Sequence, residues 1–462
     1  MKQNPITRRK FLKGAATVGL GAVAAQIMAA CAPVATSGGE AGSATAGSSN
    51  APAATQVTLR VQVPPEGGQS VMPKKFAEKY QAESGVQVVI EETVYGEIAT
   101  KTQTGFISGT LQDLLYGHNR WLFLNYLKGI YMEIDDMLAT NPPSDFADIY
   151  PSVMAANSLN GKNFSVPGVV HPGGNIAVNY NKTMLEAKGL PLPKEGWTMA
   201  EWTELAKAAA EPDKGIFGLG FDAMNALHYY SNVARSFGEP GSKDMWILNE
   251  DGTKIQYNTP IHEEITNWYV DLLNSKVSPR KADYIEDNAS KLFPAGLIAT
   301  HASIVGNTTA FIDQIAGKFE MDAVPLPVGA KGRQGTCYSG NQHMINSKTA
   351  HPEESWELLK LYSSGEAGVS MVLDGKLQPN GHKSAWTNAD VNKINRMFGV
   401  TNALLEGGIE PFPMPKNARF VEANPAFQAE MDLIWEGEAT WKDHAAIVDE
   451  KVQAVLDMEL PA

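Results

Sequence analysis

The sequence predicts an α/β protein of two lobes, each a mostly parallel sheet flanked by helices, with several chain crossings joining them. Three observations carry this prediction. From Gln56 to Tyr116 the apolar pattern runs strand, helix, strand, helix, strand, the order that builds a parallel sheet covered on both faces. Between Asn163 and Leu190 an extended run breaks at Pro167-Gly168, passes through His171-Pro172-Gly173-Gly174, and restarts as a strand-helix unit, as expected where a chain leaves one lobe for another. A second extended stretch, Thr336 to Ile345, has the character of a return crossing.

The N-terminus reads as an address. Arg8 and Arg9 sit in Thr7-Arg-Arg-Lys-Phe-Leu-Lys13 and precede an Ala/Gly-rich apolar run from Gly14 to Ala30. A basic head and a modest apolar stretch make a secretory signal, and the arginine pair points to the Tat route. Residues 1–30 are therefore expected to be the signal. Ile27-Met-Ala-Ala-Cys31 resembles a lipobox, which makes Cys31 the expected site of lipidation. Met28 stands where a Leu-type residue is usual, and a cut without acylation is the alternative. Residues 31–55, rich in Ala, Ser, Gly and Thr with Glu40 as the single charge, form the anchor and a flexible linker.

Charge and composition narrow the function. The chain has 38 Lys+Arg and 51 Asp+Glu, net −13; removing the five basic residues of the first thirty leaves 33 against 51, net −18. That argues against nucleic acid or anionic lipid as the main partner. A 43% hydrophobic fraction at this length suits a pair of globular domains. Only Cys337 accompanies Cys31, so an acylated Cys31 leaves no internal disulfide. The nine histidines are dispersed, and His-Glu-x-x-His, Cys-x-x-Cys and Gly-x-Ser-x-Gly are absent, so neither a metal, a cofactor nor a nucleophilic active site is expected.

Along the chain, Val57, Leu59, Val61 and Val63 alternate as a strand, and Val71 to Ala82 forms a helix carrying Phe76 and Tyr80 and stopped by Ser84-Gly85. Val86, Val88 and Ile90 make the next strand, Glu97 to Ser108 a helix, and Leu114-Leu-Tyr116 a third strand. Ligands of such sheets bind at the carboxyl ends of the strands, so Tyr116, Asn119, Arg120 and Trp121 are candidates. After the crossing, Ile176, Val178 and Tyr180 alternate, Asn181 caps a helix, and Gly189 with Pro191 ends it. Thr198-Met-Ala-Glu201 is a capping box whose helix buries Trp202, Leu205, Ala206 and Ala209. Trp197 and Trp202 are read as core. Phe217 to Phe221 is a short strand whose end supplies Asp222, His228 and Tyr229. Trp246 to Tyr257 reads as a hairpin turning at Asp251-Gly252, and Thr259-Pro260 opens a long helix. Phe293 to Ser303 is expected to be a short strand and loop, with His301 and Ser303 in the loop. Met321 begins a strand and rigid turn, Pro352 a helix ending at Ser364-Gly365, and residues 392–460 are largely helical. The crossings add His171, Tyr338 and Gln342 as candidates.

The order of these segments resembles the extracellular solute-binding lipoproteins of ABC importers, especially the maltose- and sugar-binding type. The resemblance runs from Gln56 to the C-terminus. It rests on Asp113-Leu-Leu-Tyr116, Val178-Asn-Tyr-Asn-Lys182, Gly196-Trp-Thr-Met-Ala-Glu-Trp202, Phe293-Pro-Ala-Gly296, Pro325-Leu-Pro-Val-Gly329, and Tyr338 through Lys348 into Pro352-Glu-Glu-Ser-Trp356. It implies a periplasmic-binding-protein-like fold in which the lobes close over a ligand by hinge motion, with crossings near Val166, Tyr338 and Trp386 to Met397. The expected lobe segments are 56–165 and 338–390 for the first lobe, and 166–337 and the helical 391–462 for the second. In the resemblance, the aromatic, acid and arginine offered to sugar hydroxyls match Tyr116, Asn119 and Arg120, with an amide in place of the acid. The family's Gly-x-Trp loop is replaced by His301-Ala-Ser-Ile304. The implied protein is a lipid-anchored, extracytoplasmic monomer that catalyses nothing, captures a sugar or oligosaccharide, and passes it to the transmembrane permease. An exported carbohydrate hydrolase, or a ligand sensor of the same fold, is the alternative.

Overall fold

Leu59, Val61 and Val63 have no exposed surface because they point from one strand into the floor of a sheet. That strand, β1 (Thr58–Val63), opens the structure, a computed structural model that describes residues 56–172, 176–336, 339–409 and 416–459. The expected signal, anchor and linker, with Arg8, Arg9 and Cys31, lie outside the described residues, as does Tyr338. Helix α1 (Val71–Ser84) lays Phe76 and Tyr80 on the sheet and stops at Gly85, whose φ of 75° only glycine adopts without strain. Then come β2 (Gln87–Glu92), α2 (Ile98–Ser108), β3 (Leu114–His118) and α3 (Asn119–Leu127). A short α4 (Pro151–Ala156) precedes β4 (Val166–His171). The first sheet has the order β2-β1-β3-β9-β4, where β9 is Ser339–Ile345; β1, β2 and β3 are parallel, while β9 is antiparallel to both neighbours.

The second sheet begins with β5 (Ile176–Asn181) and adds β6 (Phe217–Phe221), β7 (Ile298–Ile304) and β8 (Met321–Pro325) in the order β8-β5-β7-β6. Asn181 accepts from Met184 N at 2.9 Å and so starts α5 (Lys182–Ala187). Thr198 and Glu201 close a reciprocal capping box on α6 (Met199–Ala209), at 3.1 Å and 2.7 Å. Trp202 and Trp197 are core residues, their indole N–H groups satisfied by Thr300 Oγ1 and the Pro325 carbonyl. Helices α7 (Leu227–Ala234), α8 (Pro260–Asn274) and α9 (Val305–Ile315) follow within this lobe. The first lobe regains α10 (Pro352–Tyr362) and α11 (Gly365–Leu373). Then α12 (Met397–Glu406) leads to α13 (Phe420–Trp435) and α14 (Trp441–Leu456), which pack into the second lobe's core.

The α/β two-lobe class is as expected; several details differ. Neither sheet is mostly parallel: the first has two parallel and two antiparallel pairings, because β9 runs against both of its neighbours, and the second has one parallel pairing, β6 with β7, and two antiparallel ones, because β5 runs against both of its neighbours. Alternation marks a strand but not its direction. The first passage between lobes lies after His171, not at Val166, since β4 pairs with β9 in the first sheet. Pro167 does not end that strand: β4 is a sheet edge, where a missing N–H is tolerated beside a register shift, and Gly168 is required because a Cβ there would meet Asn341 O at 2.9 Å. His301 and Ser303 lie in β7, not in a loop, and the strand runs into α9, which the sequence reading omitted. Ser364-Gly365 ends one helix and starts the next, Ser364 accepting from Ala367 N at 3.1 Å.

A shared apolar cluster joins the lobes: Val170 of β4, Ala177 of β5, Val305 and Ala323 meet Val153, Trp386, Met397 and Phe398. The third passage falls between Ser384, held by Asp148 of the first lobe, and Asn395, whose amide donates to the Val305 carbonyl at 2.9 Å.

Two buried histidines give the fold a pH dependence. Burial pushes His262 down to about 4 and His343 down to about 4, so both are neutral in the folded chain. The unfolded chain takes up those protons near pH 6.5. The fold's advantage is complete above 6.5 and is lost as pH falls toward 4, by up to about 1.4 kcal/mol per pH unit for each histidine. Calorimetry should therefore show the melting temperature falling from pH 7 to pH 5, before carboxylates titrate; a flat midpoint over that range contradicts the assignment.

Candidate binding cleft

The carboxyl ends of β1, β2 and β3 and those of β6 and β7 open on one cavity of about 510 Å³. Parallel strands end there with their backbone pairing finished and their loops free to present side chains. From the first lobe it is lined by Glu66 and Gln69 after β1, Tyr95 after β2, His118 and Arg120 at the end of β3, and Asn341 in β9. From the second lobe come Ala223, Ala226, His228, Tyr229 and Asn232 after β6, Ile304 at the end of β7, and Asn424 and Gln428 of α13.

The first-lobe wall is held by a chain of hydrogen bonds. His118 Nδ1 accepts from the backbone N–H of Arg120 at 3.1 Å, capping α3, and from its Nε–H at 3.4 Å, so the proton of the neutral ring belongs on Nε2. Arg120 Nη2 donates to the Tyr95 hydroxyl at 3.4 Å, and that hydroxyl donates to Asn341 Oδ1 at 3.2 Å. Trp121 backs the group, its ring 5.7 Å from Tyr95 and 5.6 Å from His118, with the Arg120 guanidinium 5.8 Å from its centre. Both carboxylate oxygens of Glu66 accept from the Tyr95 N–H, at 3.0 and 3.2 Å. Tyr116 is buried behind the wall and donates to Gln69 Oε1, which leaves the Gln69 amide N–H groups as the ones to offer inward. Burial raises the hydroxyl pKa of both tyrosines, so they stay protonated donors at neutral pH.

The second-lobe wall is uncharged apart from its histidine. His228 and Tyr229 stand with ring centres 4.6 Å apart at the start of α7. Asn424 accepts from Leu227 N at 3.0 Å, capping α7 from another helix, and donates to Gln428 Oε1 at 2.9 Å.

Of the residues singled out in the sequence, the structure brings Arg120, His228 and Tyr229 together at the cavity. Tyr116 and Trp121 support its wall, and Asn119 and Gln342 are buried beneath it, hydrogen-bonded to each other at 3.1 Å. Asp222, His301 and Ser303 instead form a closed polar cluster. Asp222 pairs with His301 Nε2 at 2.8 Å and accepts from Ser290 at 2.6 Å, from Ser303, and from Asn307 at 3.2 Å. Burial opposes ionisation of Asp222, but the bonds from His301, Ser290 and Ser303 outweigh it and hold the carboxyl below its usual range. Asp222 lines a separate cavity of about 210 Å³ beside Tyr269, Arg280 and Trp435. The His171 side chain and Tyr338 lie outside what is described. The sequence reading missed Glu66, Gln69, Tyr95, Asn232, Asn341, Asn424 and Gln428 and passed over His118. The strand-end rule, applied to β1 and β2 as well as β3, would have found Glu66, Gln69 and Tyr95.

The family model for bacterial extracellular solute-binding proteins matches residues 64–369. The chain belongs to that family. No curated protein matches this solute-binding protein. Among solved structures it is similar to a Listeria monocytogenes ABC substrate-binding protein in complex with cycloalternan, at 17% identity and TM-score 0.74, covering 87% of this chain and 99% of that one. The GacH receptor of Streptomyces glaucescens, solved with acarbose, gives 18% and 0.71 over 87% and 100%. The ribitol-bound solute-binding protein of Agrobacterium radiobacter gives 20% and 0.69 over 86% and 97%. These likenesses show a common fold. Membership places the chain outside the cytoplasm, among binding proteins, and no described helix is long and apolar enough to cross a membrane.

In this solute-binding protein the lobes also touch beyond the cavity. Lys416, tied to the second lobe by the adjacent Asn417 bonding the Gly252 carbonyl, donates to the Ala155 and Ser158 carbonyls of the first lobe at 2.7 and 2.6 Å. Burial of its ammonium lowers the Lys416 pKa. Helix α13 meets α3 on the same side. Charge-assisted bonds of this kind contribute roughly 1.5–3 kcal/mol. Lys416→Met should therefore weaken solute affinity about tenfold through a loss of the closed form. Titration calorimetry should read that loss and small-angle scattering a larger unliganded radius; unchanged affinity would remove Lys416 from the closing contacts.

Proposed function

We propose that the chain is the solute-capturing component of an ABC importer, that its solute is a carbohydrate, and that closing of the lobes presents it to the permease. The observation that carries this reading is the cavity itself. Tyr95 on one wall and Tyr229 on the other bring aromatic rings suited to apolar C–H surface, while the amides of Gln69, Asn232, Asn341, Asn424 and Gln428 bring uncharged polar groups suited to hydroxyls. Its volume of about 510 Å³ falls within the roughly 300–1,000 Å³ of small-molecule sites. The cycloalternan, acarbose and ribitol held by structural relatives support a carbohydrate or polyol.

The mechanism is a population shift. Contacts made to both walls at once exist only when the lobes are together, so the ligand favours the closed form by the free energy of those contacts. In this reading the solute is held and released unchanged, with no chemical step. The twin arginine at Arg8 and Arg9 supports Tat export, Cys31 supports a lipid anchor, and the Ala/Ser/Gly/Thr-rich composition of residues 31–55 supports a tether.

A thermal-shift screen of mono- and oligosaccharides, polyols and polyamines tests the ligand class. A sugar or polyol at a hundred times its dissociation constant should add about 2.7 kcal/mol of stability and be recovered chemically unchanged. A response to polyamines alone, or recovery of a cleaved sugar, sinks the reading. For the anchor, Cys31→Ala should move the protein from the membrane to the soluble fraction; retention on the membrane would show that Cys31 does not hold it there.

A further inference from the structure

We infer that the ligand carries a carboxylate, and that this solute-binding protein takes an acidic sugar of the uronate class, its carboxylate paired with Arg120. The inference rests on the carbohydrate reading above and narrows it.

Among the described arginines, Arg120 is the one that lines this cavity. Arg60, Arg396 and Arg419 meet the carboxylates of Glu91, Asp322 and Glu422. Arg235, Arg280 and Arg333 donate to the backbone carbonyls of Thr336, Trp435 and Glu239. Arg120 makes no ion pair among the described residues, and its bonds go to two neutral groups, His118 Nδ1 and the Tyr95 hydroxyl, both at 3.4 Å. Those bonds use Nε and one Nη2 hydrogen. Nη1 has no protein partner among the described residues, and it belongs to a guanidinium that lines the cavity. A planar fork of this kind fits a carboxylate through two parallel bonds, which a lone hydroxyl cannot match.

The neighbouring groups do not supply the missing charge. Asn119, next in the chain, is neutral and turned to Gln342 beneath the wall. Glu66 lines the same cavity but is exposed, and its two oxygens are engaged by the Tyr95 N–H. Across the cavity the second lobe offers Tyr229, Asn232, Asn424 and Gln428, none of them charged. When the lobes close, the guanidinium loses water, and an ion stripped of water without a counter-ion is unfavourable. A carboxylate on the ligand removes that penalty.

The test is titration calorimetry at pH 7 with glucose and galactose against glucuronate and galacturonate, and with the corresponding neutral and acidic disaccharides. The proteins are the wild type, Arg120→Gln and Arg120→Lys, each checked for folding by its thermal melt. The wild type should bind a uronate at least about tenfold more tightly than its neutral parent, a gap that narrows with added salt. Arg120→Gln should bring the two to within about twofold of each other, and Arg120→Lys should fall between. Neutral sugars binding as tightly as their uronates in the wild type overturn the inference and leave the carbohydrate reading standing. So does a uronate preference that survives in Arg120→Gln. Arg120-dependent binding of tartrate or citrate with no response to any sugar overturns the carbohydrate reading, and with it the uronate class.

Discussion

The shared cluster of Trp386, Met397 and Phe398 with Val170, Ala177 and Ala323 is the constraint on which the rest of the molecule depends. It fills the junction where the chain passes between sheets, so the lobes cannot slide or separate there without exposing Trp386 and Phe398, both fully buried. The cavity is bounded by strand ends from both sheets, and its Ile304 directly precedes Val305 of the cluster. Two rigid bodies packed along one side and facing each other across a gap can open and close with few residues changing conformation. Arg396 holds the far side of the junction to the second sheet, bonding both oxygens of Asp322 at 2.9 and 3.2 Å and the Ala323 carbonyl at 2.6 Å.

Much of this was legible in the sequence because local chemistry and global fold agree. The Thr198–Glu201 box, the Asn181 cap and the stop at Gly85 are written in neighbouring residues, and each appears as read. The two lobes followed from strand-helix alternation and from the glycine-rich break after His171. What was not legible depends on partners far along the chain. Pro167 looked like a strand breaker because nothing local says that β4 lies at a sheet edge, beside a bulge in β9. The direction of β5 is set by β7 and β8, more than a hundred residues away.

The candidate site shows the same division more sharply. Asp222 follows a strand and precedes a helix, which in isolation suits a ligand contact. Its four partners come from Ser290, His301, Ser303 and Asn307, and they use up the carboxylate before any ligand arrives. Asn119 and Gln342 are likewise spent on each other. The residues left facing the cavity are those whose hydrogen bonds run sideways along the wall, as in the Arg120, Tyr95 and Asn341 chain. Asn424 and Gln428 carried no sequence signal, since a pair of amides four apart on a helix is ordinary until the helix is known to border the cleft.

The pattern of satisfied and unsatisfied groups also says how the affinity is divided. Contacts such as Lys416 to the Ala155 and Ser158 carbonyls form between the lobes without touching a solute. They raise the fraction of closed protein, and apparent affinity scales with that fraction. Selectivity must then come from groups that the lobes cannot satisfy for each other. Lys416 finds two carbonyls at 2.7 and 2.6 Å, so closure alone relieves it; Arg120 makes only two long bonds of 3.4 Å and keeps Nη1 without a partner among the described residues, so closure alone leaves it short. A solute that supplies the missing acceptor contributes both its own contacts and the removal of a penalty that otherwise resists closing. The ammonium between the lobes and the guanidinium in the cavity thus separate two jobs, one setting how readily the lobes meet and the other what they meet around.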